Sequence, residues 1–452
     1  IELVRLLIGA KADLNTCDRR HHPEKKSPYP FRDGLSKDHI LTVESKWALQ
    51  PAYLGSGSPL ICAAAAGNVD MVRQLLDAQA AVDHANELGA PPWMWAAANN
   101  HIDVARVLID EKAAVNALTC DKMSALMCAA RGGAVEVAKM LIDARASLDP
   151  ATTDGKTNLV FAALGGSVDV VKMLLDGRTE IGTDNNDLTT ALISAVRTGA
   201  VDVARVLIDA KADIFAVEKE NMSAVMLAID KCDREMFQVM VEKQSVASPD
   251  NRLLTADILS CAARSGCVEV LKWLIDVKAP VDVSDAAGAT PLMASTACGH
   301  SDTTAALLEA CAAVDAVDHS NKTALCWAAH HGNADAARVL IDARANLTHR
   351  DKDRMDALMR ANARRQLKVM QVLIGAGADI TVRYQSYNES LLKVAVRKND
   401  VRAVRLLLDA KAEIDHVECL LDDAVEAEHD GIVKLLLSAK VRVDDVEVVP
   451  SY

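Results

Sequence analysis

The sequence predicts an all-α solenoid, a stack of repeated pairs of short helices, and three observations carry that prediction. A column of small residues, mostly polar, recurs as Ser58, Pro91, Ser124, Thr157, Thr190, Ser223, Asp257, Thr290, Thr323, Asp356, Ser390 and Cys419, in steps of 33 or 34 residues until a last step of 29. Five positions after each, the residue is Ala in eleven of the twelve cases, Ser295 being the exception. An apolar pair then follows in every repeat, from Leu75-Leu76 and Leu108-Ile109 to Leu436-Leu437. A fixed period of this length marks units that cannot bury their apolar faces alone and do so by stacking on their neighbours.

Each repeat opens with a helix start. Ten of the twelve column residues are Ser, Thr or Asp, whose side-chain oxygens accept an otherwise unpaired N–H of the first turn. Pro59, Pro92 and Pro291 stand at the next position, where a helix tolerates proline. The Ala column predicts close contact between first helices. The second helix begins with an acid in repeats one to nine, such as Asp70, Asp103 and Glu136, and most carry a base three residues later. Both features favour helix by a few tenths of a kcal/mol, which gives these charges a structural explanation and no catalytic weight.

Composition narrows the function. The 452 residues carry 50 Lys and Arg against 63 Asp and Glu, a net charge of −13, which argues against a general nucleic-acid binder. No apolar run is long enough for a membrane span, and no signal-peptide pattern appears. Half the residues are hydrophobic but only 3% aromatic, which suits close helix packing. The eleven cysteines are scattered without a C-x-x-C arrangement, so reduced, packed thiols in a cytoplasmic, or nuclear, setting are expected.

The stretches "TPLMASTACGH" at 290–300 and "DHSNKTALCWAAHHGNADAARVLIDARANL" at 318–347 resemble the ankyrin repeat. The resemblance covers about nine-tenths of the chain and implies an ankyrin-repeat solenoid of helix–turn–helix units with protruding hairpin turns. Two columns depart from the family pattern. Its usual His two positions after the Pro is replaced by Ile61, Met94, Met127, Val160, Ile193 and Met226, so apolar packing is expected in place of hydrogen bonds between turns. Its Gly just past the second helix is replaced by Gln79, Lys112, Arg145, Arg178, Lys211, Lys278, Arg344, Lys411 and Lys440, with only Gly377 conforming. A left-handed residue without glycine costs roughly 1 kcal/mol.

The expected organisation is a truncated repeat at 1–18, an insertion loop or a decayed repeat at 19–57, twelve repeats at 58–446 and a tail at 447–452. With Ile at position 1 and half a repeat after it, the sequence is expected to begin inside a longer protein. Residues 243–256, "KQSVASPDNRLLTA", lack the usual exit and predict a weak point. Repeat ten places Asn362, Arg364 and Arg365 where small residues belong, and the last repeat reads as a polar cap.

Motifs for chemistry are thin. Asp154-Gly155-Lys156-Thr157 resembles the tail of a phosphate-binding loop, but Pro150 stands where the first glycine is required. No catalytic arrangement or metal-ligand spacing stands out, so no enzyme activity, cofactor or metal is expected. The resemblance implies that partners dock on the hairpin tips and on the concave face of the first helices. The two variable positions there hold Arg131, Arg197, Lys231, Arg264, Arg364, Arg397 and Lys398, with His330 and His331, against the acids Asp230 and Glu426. Two readings stay open for this excess: cations favoured at helix C-termini, or a stripe for an acidic partner segment. Arg197, Lys231 and Arg264, in consecutive repeats, are expected to form one patch. Trp93 reads as core; Trp95 and Trp327 share a position that is packed or groove-lining; Tyr384 and Tyr387 are candidates for exposed contacts. The expected function is a monomeric, non-catalytic scaffold or adaptor for a protein partner. The alternative is a targeting or regulatory segment of a larger enzyme or membrane protein.

Overall fold

A computed structural model describes residues 57–148, 151–177, 185–217, 222–242, 256–384, 388–412 and 417–444. The fold is the all-α solenoid, and the chain divides into two compact units, Ile1–Leu227 with Gln238–Lys243, and Ala228–Phe237 with Gln244–Tyr452. The first contains α1 (Pro59–Ala65), α2 (Val69–Asp77), α3 (Pro92–Ala98), α4 (Ile102–Asp110), α5 (Ala125–Arg131), α6 (Val135–Asp143), α7 (Asn158–Gly165), α8 (Val168–Gly177), α9 (Asn185–Thr198) and α10 (Val201–Asp209). Helices α11 (Ala224–Asp230) and α12 (Arg234–Glu242) contribute residues to both units. The second contains α13 (Ala256–Ser265), α14 (Val268–Asp276), α15 (Pro291–Cys298), α16 (Ser301–Glu309), α17 (Ala324–His331), α18 (Ala334–Asp342), α19 (Ala357–Ala363), α20 (Leu367–Gly375), α21 (Leu391–Arg397), α22 (Val401–Asp409), α23 (Val417–Glu426) and α24 (Asp430–Asp444). The short strands β1 (Arg383–Tyr384) and β2 (Glu389–Ser390) pair antiparallel ahead of α21. The segments 1–56, 243–255 and 445–452, with Arg178 and Tyr387, lie outside the described residues. Among those described, no helix is long and apolar enough to cross a membrane.

The column residues act as predicted at most helix starts. The side chains of Ser58, Ser124, Thr290, Thr323, Asp356 and Ser390 each accept the N–H three residues on. Ser223 does the same for the Met226 N–H. Five do not: Pro91 has no side-chain oxygen, Thr157 donates its hydroxyl to Asp187 instead, and Thr190, Asp257 and Cys419 lie inside α9, α13 and α23, which start earlier. Asp187 and Asp257 fall in first turns, where an acid is favoured, and the Thr190 hydroxyl donates back to the Asn186 carbonyl within the helix.

The Ala column is the seam of the stack, every member 0–1% exposed. Ser295 sits there equally buried, because its hydroxyl bonds the Leu292 carbonyl and the Thr304 hydroxyl. The first member of each apolar pair, such as Leu75, Leu141 and Leu274, is fully buried beneath it. Where the family's His is missing, packing is not the whole replacement. The thioethers of Met127 and Met293 accept the cap N–H of Ser124 and Thr290.

The exits from the second helices are left-handed, as expected for Gln79, Lys112, Arg145, Lys211, Lys278, Arg344 and Lys411, with φ between 60° and 73°, and for Gly377 at 86°. Lys440 departs from this column. It lies within the fifteen-residue α24, because the last repeat has no exit at that point. Just beyond the exits, Asp83, Asn116, Asp282 and Asp315 each accept a backbone N–H from the following repeat at 2.7–2.9 Å.

The expectation of reduced, mostly packed thiols is overturned twice, since Cys62, Cys120, Cys298 and Cys311 are exposed and one pair is joined. Cys232 and Cys267 are joined as a disulfide, 35 residues apart with Cα atoms 5.3 Å apart. They lie one repeat apart at the entries to α12 and α14, a proximity that stacking creates and linear spacing does not reveal.

Candidate functional site

The protruding turns are built on a column absent from the predicted pattern. Asn86, Asp285, Asp318 and Asp351 each accept two N–H groups with one side-chain oxygen, from the residues two and four positions on. This closes the turn locally, as Asn and Asp side chains do. Neighbouring turns are then hydrogen-bonded, His319 N–H to the Ala287 carbonyl and Lys352 N–H to the Ser320 carbonyl.

Nine residues after that column, a first-helix side chain faces back to the turn. In repeat nine it is Trp327, whose indole N–H donates to the second oxygen of Asp318 at 3.0 Å. In repeat ten it is Arg360, which donates to the second oxygen of Asp351 from Nε at 2.8 Å and also from Nη2. It bonds Asp353 at 2.9 Å as well. The Arg360 side chain is 7% exposed and that of Asp351 0%. Burial opposes the Arg360 charge, but its bonds to Asp353 and Asp351 outweigh this and raise its pKa. The contact with Arg360 holds the Asp353 carboxyl below the usual range.

Around Trp327 the side chains form a half-buried cluster. The His331 imidazole stacks on the indole, with centroids 5.6 Å apart and planes 7° apart. The Lys322 ammonium lies 5.0 Å from the indole centroid, within range of a cation–π attraction. His330 lies 4.9 Å from His331. Burial, then the Arg364 cation, push the His330 imidazole down to about 4, with His331, Arg360 and Lys322 adding to the effect. Burial followed by Arg364 and Lys322 lowers His331 too.

The candidate residues thus fall into groups. Arg131 and Arg197 lie in the first unit, and Lys231, Arg264, His330, His331, Arg364, Arg397 and Lys398 in the second. The expected patch of Arg197, Lys231 and Arg264 therefore draws on both units. Beside Lys231 and Arg264, the Asp230 carboxylate accepts from the Ser265 hydroxyl, so acid and base alternate there. Repeats nine to eleven are different. His330, His331 and Arg364 gather around Trp327, and burial followed by Arg397, Arg364 and Arg365 depresses the Lys398 ammonium. Arg397 pairs with Glu389 at 2.9 Å and Arg365 with Asp400 at 3.4 Å. The Lys398 ammonium donates to the Ala363 carbonyl at the end of α19, the helix-terminal role weighed from the sequence.

The tryptophans part company. Trp93 and Trp95 are core residues, each 1% exposed, whereas Trp327 is only half-buried. The expectation for Tyr384 is overturned: it is 7% exposed, its hydroxyl donates to the Met359 carbonyl, and Asn362 donates to it. Asn362 also donates to the Leu391 carbonyl, so its amide nitrogen is satisfied where a small residue was expected, while its Oδ1 is buried without a partner. Asp318, Asp351 and Arg360 are the site-building residues that sequence reasoning missed. A nine-residue spacing across a turn matches neither a helical nor a strand period. Burial raises the Cys128 thiol to about 12 and Cys261 to about 11, far from the thiolate a nucleophile needs.

A family model for ankyrin repeats, in three copies, matches residues 45–119, 111–187, 225–318, 259–351, 307–384 and 358–446. The first match begins inside the segment 19–57. No curated protein matches the chain. The matches cover well over half of the residues, and they agree with paired helices, left-handed exits and hydrogen-bonded turns. The chain belongs to the ankyrin repeat family, whose arrays are generally protein–protein interaction modules.

Proposed function

We propose that the chain is a non-catalytic scaffold or adaptor that binds a protein partner on the first-helix ends and turns of repeats nine to eleven. One observation carries this reading: Trp327, His330, His331 and Arg364 form a half-exposed aromatic and basic cluster, in a chain of net charge −13 whose other large aromatics on first helices are packed away. Tryptophan and arginine are the side chains that most often anchor interfaces. Aromatic and basic side chains on a rigid stack vary without cost to the core, which is how a solenoid acquires specificity.

The test is capture of partners from lysate by the full chain. The double variant Arg364→Glu with Arg397→Glu should lose the partner set, most clearly at low salt, and wild-type capture should weaken as salt rises, because exposed charges are screened over about 8–10 Å. The control variant Arg73→Glu with Arg106→Glu, on α2 and α4, should retain it. Identical partners from all three proteins would refute the assignment.

A further inference from the structure

We propose that the Trp327 cluster is an anion-recognition site for an acidic, carboxylate-bearing segment of a partner protein, and that its occupation is coupled to proton uptake by His330 and His331. This rests on the protein-binding reading above and adds the ligand chemistry and its control.

The charges that act on His330 are cations, Arg364 first, then His331, Arg360 and Lys322. Among the described residues neither Lys322 nor Arg364 has an ion-pair partner, and the His330 Nδ1 is buried without a hydrogen-bond partner. The acids in reach keep their charge but are already hydrogen-bonded, and Asp353 also feels Lys322. Asp318 accepts from Ser320, Lys322 and the indole; Asp351 and Asp353 hold Arg360; Asp356 caps α19 through the Met359 N–H. The elements packed on α17 add little negative charge. Helix α15 holds no Asp, Glu, Lys, Arg or His. On α18, Asp335 and Arg338 pair with one another, and Asp342 stands at its last position. Helix α20 contributes Lys368, and between α19 and α20 Arg365 is paired with Asp400.

Burial first, and then the neighbouring cations, favour the neutral form of these two imidazoles 4.9 Å apart. A carboxylate entering the cluster reverses the balance. It gives the imidazolium form a counter-charge and moves His330 from about 4 back toward the ordinary imidazole value of about 6.5. The free protein is then neutral at His330, and the bound protein protonated, in the interval between those values. Binding takes up a proton there, so affinity rises as pH falls through that interval. The half-buried Trp327 ring and the Arg364 fork supply contacts that a bare point charge would not.

The experiment is isothermal titration calorimetry of the full chain with a six-residue glutamate peptide, at about pH 7.5 and about pH 5.5, in buffers of different ionisation enthalpy; the peptide keeps most of its charge at both, glutamate having a pKa near 4.3. The expected result is affinity about tenfold higher at the lower pH, with about one proton taken up per peptide bound. His330→Gln with His331→Gln should still bind but lose both the pH dependence and the proton uptake. Arg364→Glu should weaken binding about tenfold at both pH values, as expected for a lost charge contact. Binding without proton uptake, or uptake that persists in the double variant, overturns the coupling while leaving protein recognition standing. No binding at either pH overturns the acidic ligand. A phosphoserine peptide of equal length that binds tenfold tighter would give the site to phosphate instead. Conversely, if the glutamate peptide binds as expected and partner capture ignores Arg364→Glu, the partner surface fails and the anion site stands.

Discussion

Repeats two and nine place a tryptophan at the same position, nine residues after the turn column, and use it in opposite ways. Trp95 is 1% exposed, and its indole N–H finds no partner among the described residues. Trp327 is half-buried, bonds Asp318 and stacks on His331. The turns differ by one atom. Asn86 spends its only oxygen on the Leu88 and Ala90 N–H groups, and its other terminus is a donor. Asp318 spends one oxygen in the same way and keeps a second for the indole. A turn carboxylate therefore anchors a first-helix side chain at the turn, where it stays accessible. A turn amide leaves the ring to be held by packing alone. Repeat ten uses Asp351 in the same way to hold Arg360 at the turn, though there the anchored side chain is buried.

The comparison can be broken most severely in repeat ten. Asp351→Asn keeps the turn acceptor but removes the buried counter-charge of Arg360, and breaking such a pair costs about 3–5 kcal/mol. The low end is expected because Asp353 remains bonded. Native-state hydrogen exchange of α19 should register the loss, and unchanged protection would show that the ion pair is not holding the repeat. In repeat nine, Asp318→Asn leaves the Trp327 indole without its acceptor and should cost about 1–2 kcal/mol, with faster exchange of the indole proton. The reciprocal change sharpens the point: Asn86→Asp offers Trp95 the acceptor it lacks and should stabilise repeat two by about 1 kcal/mol. A loss of stability there would mean that the position of the ring, not the chemistry of the turn, separates the two repeats. The smallest effect is expected at the left-handed exits, where the repeats agree. Lys112→Gly and Lys211→Gly, at φ 61° and 73°, should each gain about 0.5 kcal/mol by relieving a left-handed backbone, and lower melting temperatures would contradict that.

The stack was legible in the sequence because its core repeats in register. The Ala column, the apolar pairs and the cap residues each recur at one spacing, and burial follows the Ala column and the first member of each pair. Thr190, Asp257 and Cys419 misled because residues that cap a helix also suit its first turn or tolerate its interior. The surface was less legible. His330, His331 and Arg364 could be placed on first-helix ends, but not the link between Asp318 and Trp327, or the one between Asp351 and Arg360, that holds their surroundings in place. Tyr384 was misjudged because a turn position says nothing of the Met359 carbonyl that takes its hydroxyl inward. The joining of Cys232 to Cys267 depends on stacking, which linear spacing does not display.

The most direct test of the contrast is a hydrogen-exchange footprint of a captured partner on the full chain. If the turn carboxylates make repeats nine and ten the presenting surface, the partner should protect 318–331 and 351–365 and leave 86–99 unchanged. Protection of 86–99 with none across 318–365 would contradict the account.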